Sequence, residues 1–262
     1  MTNEEQIKTF AMIGFDGFFI GYESDEETLN CARIAKKYGM TFQSLHAPFT
    51  KCNYMWVEDN EKGESAINEL LNCVEICKKA EIPIMIVHAF IGFEEHNPTN
   101  IGIERFGCVI DAAERGGIQI AFENTEGEEY LVALMDAFKD NKYVGFCWDS
   151  GHEMCYNRSK DMLSCFGGKL IATHLNDNLG IRDYDGRITW LDDLHLLPFD
   201  GIADWKYNVD RLKKCGFDSF LTLELTRASK PGRHENDIYA KMDPIDYLTE
   251  AYKRACRIAA MF

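Results

Sequence analysis

Six short apolar runs in this chain each reach a residue that can bind a cation or move a proton. They are TFQSLHAPF with His46, IPIMIVHAF with His88, IQIAFENT with Glu123, YVGFCWDSGH with Asp149, LIATHLNDN with His174 and SFLTLELTR with Glu224. A seventh run, GFFIG at Gly17–Gly21, carries no such group. Runs this short and apolar, alternating with helix-period stretches, are parallel strands buried on both faces. In a closed (β/α) barrel the strand ends all face one mouth, where the loops build active sites. An open doubly wound sheet would spread the same residues along an edge and bring together only those beside its switch point. The pattern therefore predicts an α/β fold, a (β/α) TIM-type barrel, as a single domain over residues 1–262.

Local signals place the helices. Asn3 with Gln6, and Ser24 with Glu27, make capping-box patterns before apolar stripes, and Gly39 stops the second stripe. Further stripes run from Ile67 to Cys77, from Ile103 to Ala113 up to Gly116 and Gly117, and from Leu131 to Phe138. Helices are also expected at Asp161 to Phe166, Asp204 to Lys214 and Asp243 to Met261. A long Asp- and Gly-rich connection, Leu179 to Ala203, breaks the rhythm. Because the chain opens on a helix signal, the count is seven strands. The first and last strands, Gly17–Gly21 and Ser219–Leu225, would then flank a strained or water-filled seam, or one covered by a partner chain.

Charge narrows the partners. Against 28 Lys and Arg stand 43 Asp and Glu, a net charge of −15, and phosphate backbones are bound by basic groups that displace counterions. Nucleic acid is not an expected partner. No apolar run approaches the ~20 residues of a membrane span, and the MTNEEQ start lacks the basic flank and apolar stretch of a signal peptide; a cytoplasmic protein is expected, with no membrane partner. The ten cysteines have no repeated C-x-x-C and read as reduced, small hydrophobes, the Cys73 and Cys77 pair included.

Two Glu, one Asp and one His, namely Glu123, Asp149, His174 and Glu224, can close around one divalent cation such as manganese, zinc, cobalt or magnesium, with water or substrate oxygens completing the shell. Any one of them alone would be a loop cap or an ion-pair partner. Four at successive strand ends favour the metal, since buried acids are costly unless paired with a cation or hydrogen-bonded.

The segments AFENT, CWDSGH, THLND, DDLHLLPFDGIADW and LTLELTR, in that order, resemble the successive motifs of the xylose-isomerase-like barrel superfamily. That group holds sugar and sugar-phosphate isomerases and epimerases and also endonuclease IV. The resemblance runs from about Glu4 to the last helix and implies that the metal ligands are Glu123, Asp149, His174 and Glu224. It implies a small carbohydrate substrate, with the ion stabilising an enediolate and with Glu123 and Glu224 as acid and base. His46, His88, His152, His195 and Arg227 are the expected substrate-binding residues, although Arg227 could equally pair with a carboxylate.

His152, Asp193 and His195 also match positions where endonuclease IV holds an extra zinc, so a second metal there is the alternative to a hydroxyl-binding role. His88 matches another nuclease ligand, but His46 is expected to sit too early to join it, with Glu58 nearer the expected place. The resemblance thus leaves a metal-dependent phosphodiesterase, or a catalytically idle metal-binding barrel, as alternatives to the isomerase. Phe49, Tyr54 and Trp56 are candidates for an apolar wall, Asn124 and Trp205 for bracing, and His96 and His234 for solvated loop positions. A homo-oligomer is compatible with everything above.

Overall fold

The computed structural model describes residues 1–94, 97–182 and 187–262. Contacts divide the chain into two compact units, Met1–Ala11 with Asp16–Cys147, and Met12–Phe15 with Trp148–Phe262.

The first unit begins with α1 (Asn3–Ile13), β1 (Gly17–Gly21), α2 (Asp25–Tyr38) and β2 (Thr41–His46), followed by a single 3-10 turn at Cys52–Trp56. It continues through α3 (Asn60–Ala80), β3 (Ile84–His88), α4 (Asn100–Gly116), β4 (Gln119–Glu123) and α5 (Glu128–Ala137) into β5 (Val144–Asp149). Caps fix these boundaries. The Ser24 hydroxyl accepts the Glu27 N–H to start α2, and Gly39 ends it in the left-handed region at φ 70°. Asp59 and Thr99 start α3 and α4 in the same way, and Gly117 ends α4 at φ 73°. At α1 the capping hydroxyl belongs to Thr2, whereas the expected Asn3 donates to Glu27 on α2.

In the first unit the strands pair in chain order from β1 to β5, all in parallel, and the second unit holds β6 (Leu170–His174). β3 is buried along its whole length, as strands covered on both faces must be. Its Ile84–Val87 segment and Ile120–Phe122 of β4 are core. His88 pairs directly with Glu123, and His46 pairs with Ile86, two residues before His88. Side chains alternate across a strand, so a two-residue offset keeps His46 and His88 on one face.

The second unit carries α6 (Ser150–Met154), α7 (Met162–Phe166), β6, α8 (Trp205–Lys214), α9 (Asp237–Ala240) and α10 (Pro244–Ala259). Asp161, Asp204 and Asp243 cap α7, α8 and α10 with their side chains. The expected seventh strand is not formed: the described residues hold six strands, and Ser219–Leu225 contributes only a bridge between Leu175 and Leu223. The cause is Thr173. Its hydroxyl donates to Phe220 O (3.2 Å) and accepts from Thr222 N (3.1 Å), so a side chain takes backbone groups that a ladder would have used. Two backbone bonds survive, Leu175 N to Thr222 O and Glu224 N to Leu175 O. Residues 1–16 hold no strand, as the sequence implies. Among the described residues no helix is long and apolar enough to cross a membrane.

Candidate active site

In the first unit three ligand atoms converge. His88 Nε2 lies 3.0 Å and His46 Nε2 3.3 Å from Glu123 Oε2, and the two nitrogens are 3.1 Å apart. His46 is therefore not too early in the chain to join His88, which corrects that expectation; the register described above brings them together, and Glu58 is exposed. His46 Nδ1–H donates to the Ala47 carbonyl (2.8 Å). In a neutral ring this leaves the Nε2 lone pair aimed at the carboxylate oxygen, an arrangement that calls for a proton or a cation between them. The 3.0–3.3 Å edges match the ~3.3 Å between donors around a tetrahedral ion at ~2.0 Å. Phe49 stacks on the His88 ring (4.7 Å, 19°) and meets His46 edge-on, while remaining 42% exposed. Trp56 does not share that wall: it is buried and donates to Ala89 O.

In the second unit Asp149, at the end of β5, is fully buried. Its Oδ1 accepts from His152 N, capping α6, and its Oδ2 accepts from Asn176 Nδ2 (2.8 Å). Gly151 makes that approach possible, since a Cβ there would lie 1.9 Å from Asn176 Oδ1. His174 Nδ1 lies 3.3 Å from Glu224 Oε2. These three residues offer two carboxylates and one imidazole, a donor set that fits a divalent ion.

Beside them stands a second group, His152, Asp193 and His195, whose ligand atoms cluster closely enough to hold a metal ion. His195 has φ 45°, a left-handed conformation that costs a non-glycine residue about 1–3 kcal/mol. Three contacts hold it there: Nδ1 to Glu224 O (3.1 Å), Nε2 to Asp193 Oδ2 (2.9 Å), and its carbonyl to Thr226 N (3.1 Å). Burial alone would raise the Asp193 carboxyl, yet the charges of His195 and His152 and the His195 hydrogen bond hold it well below the usual range. Burial would lower His195, but Asp193, with Glu224 and Asp149 behind it, pushes it up to about 9.

Arg227 pairs with no carboxylate among the described residues. Its Nη2 donates to Met242 O (2.7 Å) and its Nε to Tyr239 O, so it braces the chain before α10. Trp205 braces as expected, donating to Asp177. His234 is exposed and pairs with Asp237; His96 lies outside the described residues. Cys73 and Cys77 are free and buried, and burial raises both thiols, Cys73 to about 12. Sequence reasoning missed Asn176, which orients Asp149, and Lys230, whose ammonium reaches Asp193.

Parallel strands alternating with helices, with acids and histidines at the strand ends, mark the (β/α) class of fold. The chain matches the xylose isomerase-like TIM barrel family over residues 7–247 and belongs to it. The "Uncharacterized protein y4fM" of Sinorhizobium fredii (strain NBRC 101917 / NGR234) is 28% identical over 214 residues, 70% of this chain, and the match spans 65% of that relative's length. Among solved structures, the IOLI protein with a zinc atom superposes with a TM-score of 0.76 at 18% identity, covering 98% of this chain and 92% of the other. D-psicose 3-epimerase from Clostridium cellulolyticum H10, solved with D-tagatose, gives 0.69 at 15%, covering 100% and 93%. The 3-keto-D-glucoside 4-epimerase YcjR from E. coli gives 0.66 at 15%, covering 96% and 94%. At such identities the likeness establishes the fold.

Proposed function

We propose that this chain is a divalent-metal-dependent isomerase or epimerase of a small keto sugar, sugar phosphate or related polyol derivative. The observation that carries the reading is the grouping of Asp149, His174 and Glu224, with Asp149 held by Asn176 and His174 beside Glu224. Glu123, at the end of β4, is the fourth donor in this proposal. A bound ion would supply Lewis-acid polarisation of the substrate carbonyl. The chain's own residues move the proton. Glu224, whose side chain is 23% exposed, removes the substrate proton, and Glu123 is proposed as its partner in returning it. His152 and His195 orient hydroxyls. The sugar epimerases and the zinc-bearing IOLI protein among the solved structures support this substrate class and this dependence.

Two substitutions test it. His174→Ala should lose most of the one metal ion per chain measured by elemental analysis. Glu224→Gln keeps a coordinating oxygen and removes the base, so exchange of solvent deuterium into substrate should fall by ~100-fold or more while metal content changes little. Undiminished exchange would remove Glu224 from the mechanism.

The convergence of His46, His88 and Glu123 favours a second reading, a phosphodiesterase with several metals, because it supplies a ligand group that the sequence count denied. The net charge of −15 weighs against a nucleic-acid substrate. Cleavage of an abasic-site DNA duplex by the metal-loaded protein, with no sugar exchange, would favour this reading over the first.

A further inference from the structure

The group His152, Asp193 and His195 offers a metal two imidazoles and one carboxylate, yet a cation from elsewhere in the chain already sits on that carboxylate. Lys230 Nζ lies 3.3 Å from Asp193 Oδ2, the oxygen that also faces His195 Nε2 at 2.9 Å. The ammonium is fixed from two further sides: it donates to Trp190 O (3.1 Å), and the Trp190 ring lies 5.3 Å away. Its side chain is only 19% exposed, in a chain whose surplus of acid otherwise leaves cations scarce.

We propose that Lys230 is a resident substitute for a second metal ion and so sets how many divalent ions the chain holds. The inference rests on the single-metal reading above. Imidazoles are neutral when they ligate a metal and add no charge to balance the ion, so the attraction of this group for a divalent cation depends chiefly on Asp193. Lys230 matches that negative charge within hydrogen-bonding distance, in a buried setting where salt screens little. An ion at Asp193 would meet the ammonium's repulsion at a range of about 5 Å. Moving Lys230 aside would break its bond to Trp190 O and expose the ring it covers. The remaining carboxylates that face the group, Asp149 (3.9 Å from His152 Nδ1) and Glu224 (3.7 Å from His195 Nδ1), are committed to the first ion in the proposed reading. A neutral group such as a hydroxyl meets no such repulsion; Asp193 Oδ1 makes no hydrogen bond, and His152 Nε2 stands 3.6 Å from it.

Zinc per chain, measured by elemental analysis after chelator stripping and equilibrium dialysis against micromolar zinc, tests the proposal as a difference between variants. Lys230→Met, and Lys230→Gln as a second variant should the first fail to fold, should each bind one more zinc than the unsubstituted protein. Lys230→Arg, which keeps the charge, should bind the original number, and Lys230→Met with His195→Ala should return to it. Equal counts for the neutral variants and the unsubstituted protein would overturn the proposal, as would loss of one zinc on His195→Ala alone. Failure of the functional reading looks different: His174→Ala would then keep its full metal content, whatever the Lys230 variants do.

Discussion

At His195 both ring nitrogens face acceptors, a backbone carbonyl on one side and the Asp193 carboxylate on the other, which is the environment of an imidazolium. Its folded value of about 9 stands above the ordinary 6.5, so its contribution to stability is full below about pH 6.5 and is lost as pH rises through 9. Asp193 is held below its ordinary 3.8; its contribution is present above that value and lost as pH falls through the lower folded one. In chelated protein, the His195 ring protons should titrate near pH 9 by NMR and shift to a much lower value in Asp193→Asn. The stability gap between the two proteins should narrow above pH 9, where the Lys230 contact to Asp193 alone remains. A His195 titration near 6.5 in the unsubstituted protein would contradict the pairing. The strand-end acids and histidines were legible because an apolar run followed by an acid or histidine is a local pattern, as at Glu123, Asp149 and His174. Lys230 and Asn176 were not, because their partners lie 37 and 27 residues away and no periodicity links them.

Among the elements, the connection from β6 to α8 is organised by one buried carboxylate. Asp177 accepts from Asn178 N, Phe199 N, Ala203 N and Trp205 Nε1, and its backbone pairs with Leu196, the residue after His195. Gly201 must stay bare, because a Cβ there would lie 2.2 Å from Asp177 Oδ1 and 2.3 Å from Asn178 O. Asp177→Ala leaves several buried donors unpaired and should cost about 3 kcal/mol or more in chemical denaturation; a loss below 1 kcal/mol would show that the loop does not depend on this carboxylate. Helix starts at Ser24, Asp161, Asp204 and Asp243 were readable because a cap acts within three residues of its own position. The strand expected at Ser219–Leu225 failed for the opposite reason: its apolar alternation is sound, but the Thr173 hydroxyl, 47 and 49 residues distant, takes its backbone groups. The meeting of His46 with His88 was likewise hidden, since it depends on register between strands and not on position along the chain.

At the scale of the whole molecule, a chain of net charge −15 that gathers histidines among its buried acids is arranged to attract cations and to repel polyanions. The activity proposed for it is metal-dependent proton transfer on a small carbohydrate. The most direct measurement is NMR in D2O with a panel of ketoses and ketose phosphates, comparing metal-loaded protein, chelated protein, and chelated protein with metal restored. Deuterium should appear at the carbon next to the carbonyl of at least one panel member, be abolished by chelation and recover when the ion returns. Exchange no faster than the uncatalysed background throughout the panel, from protein that holds its metal, would contradict the proposed activity.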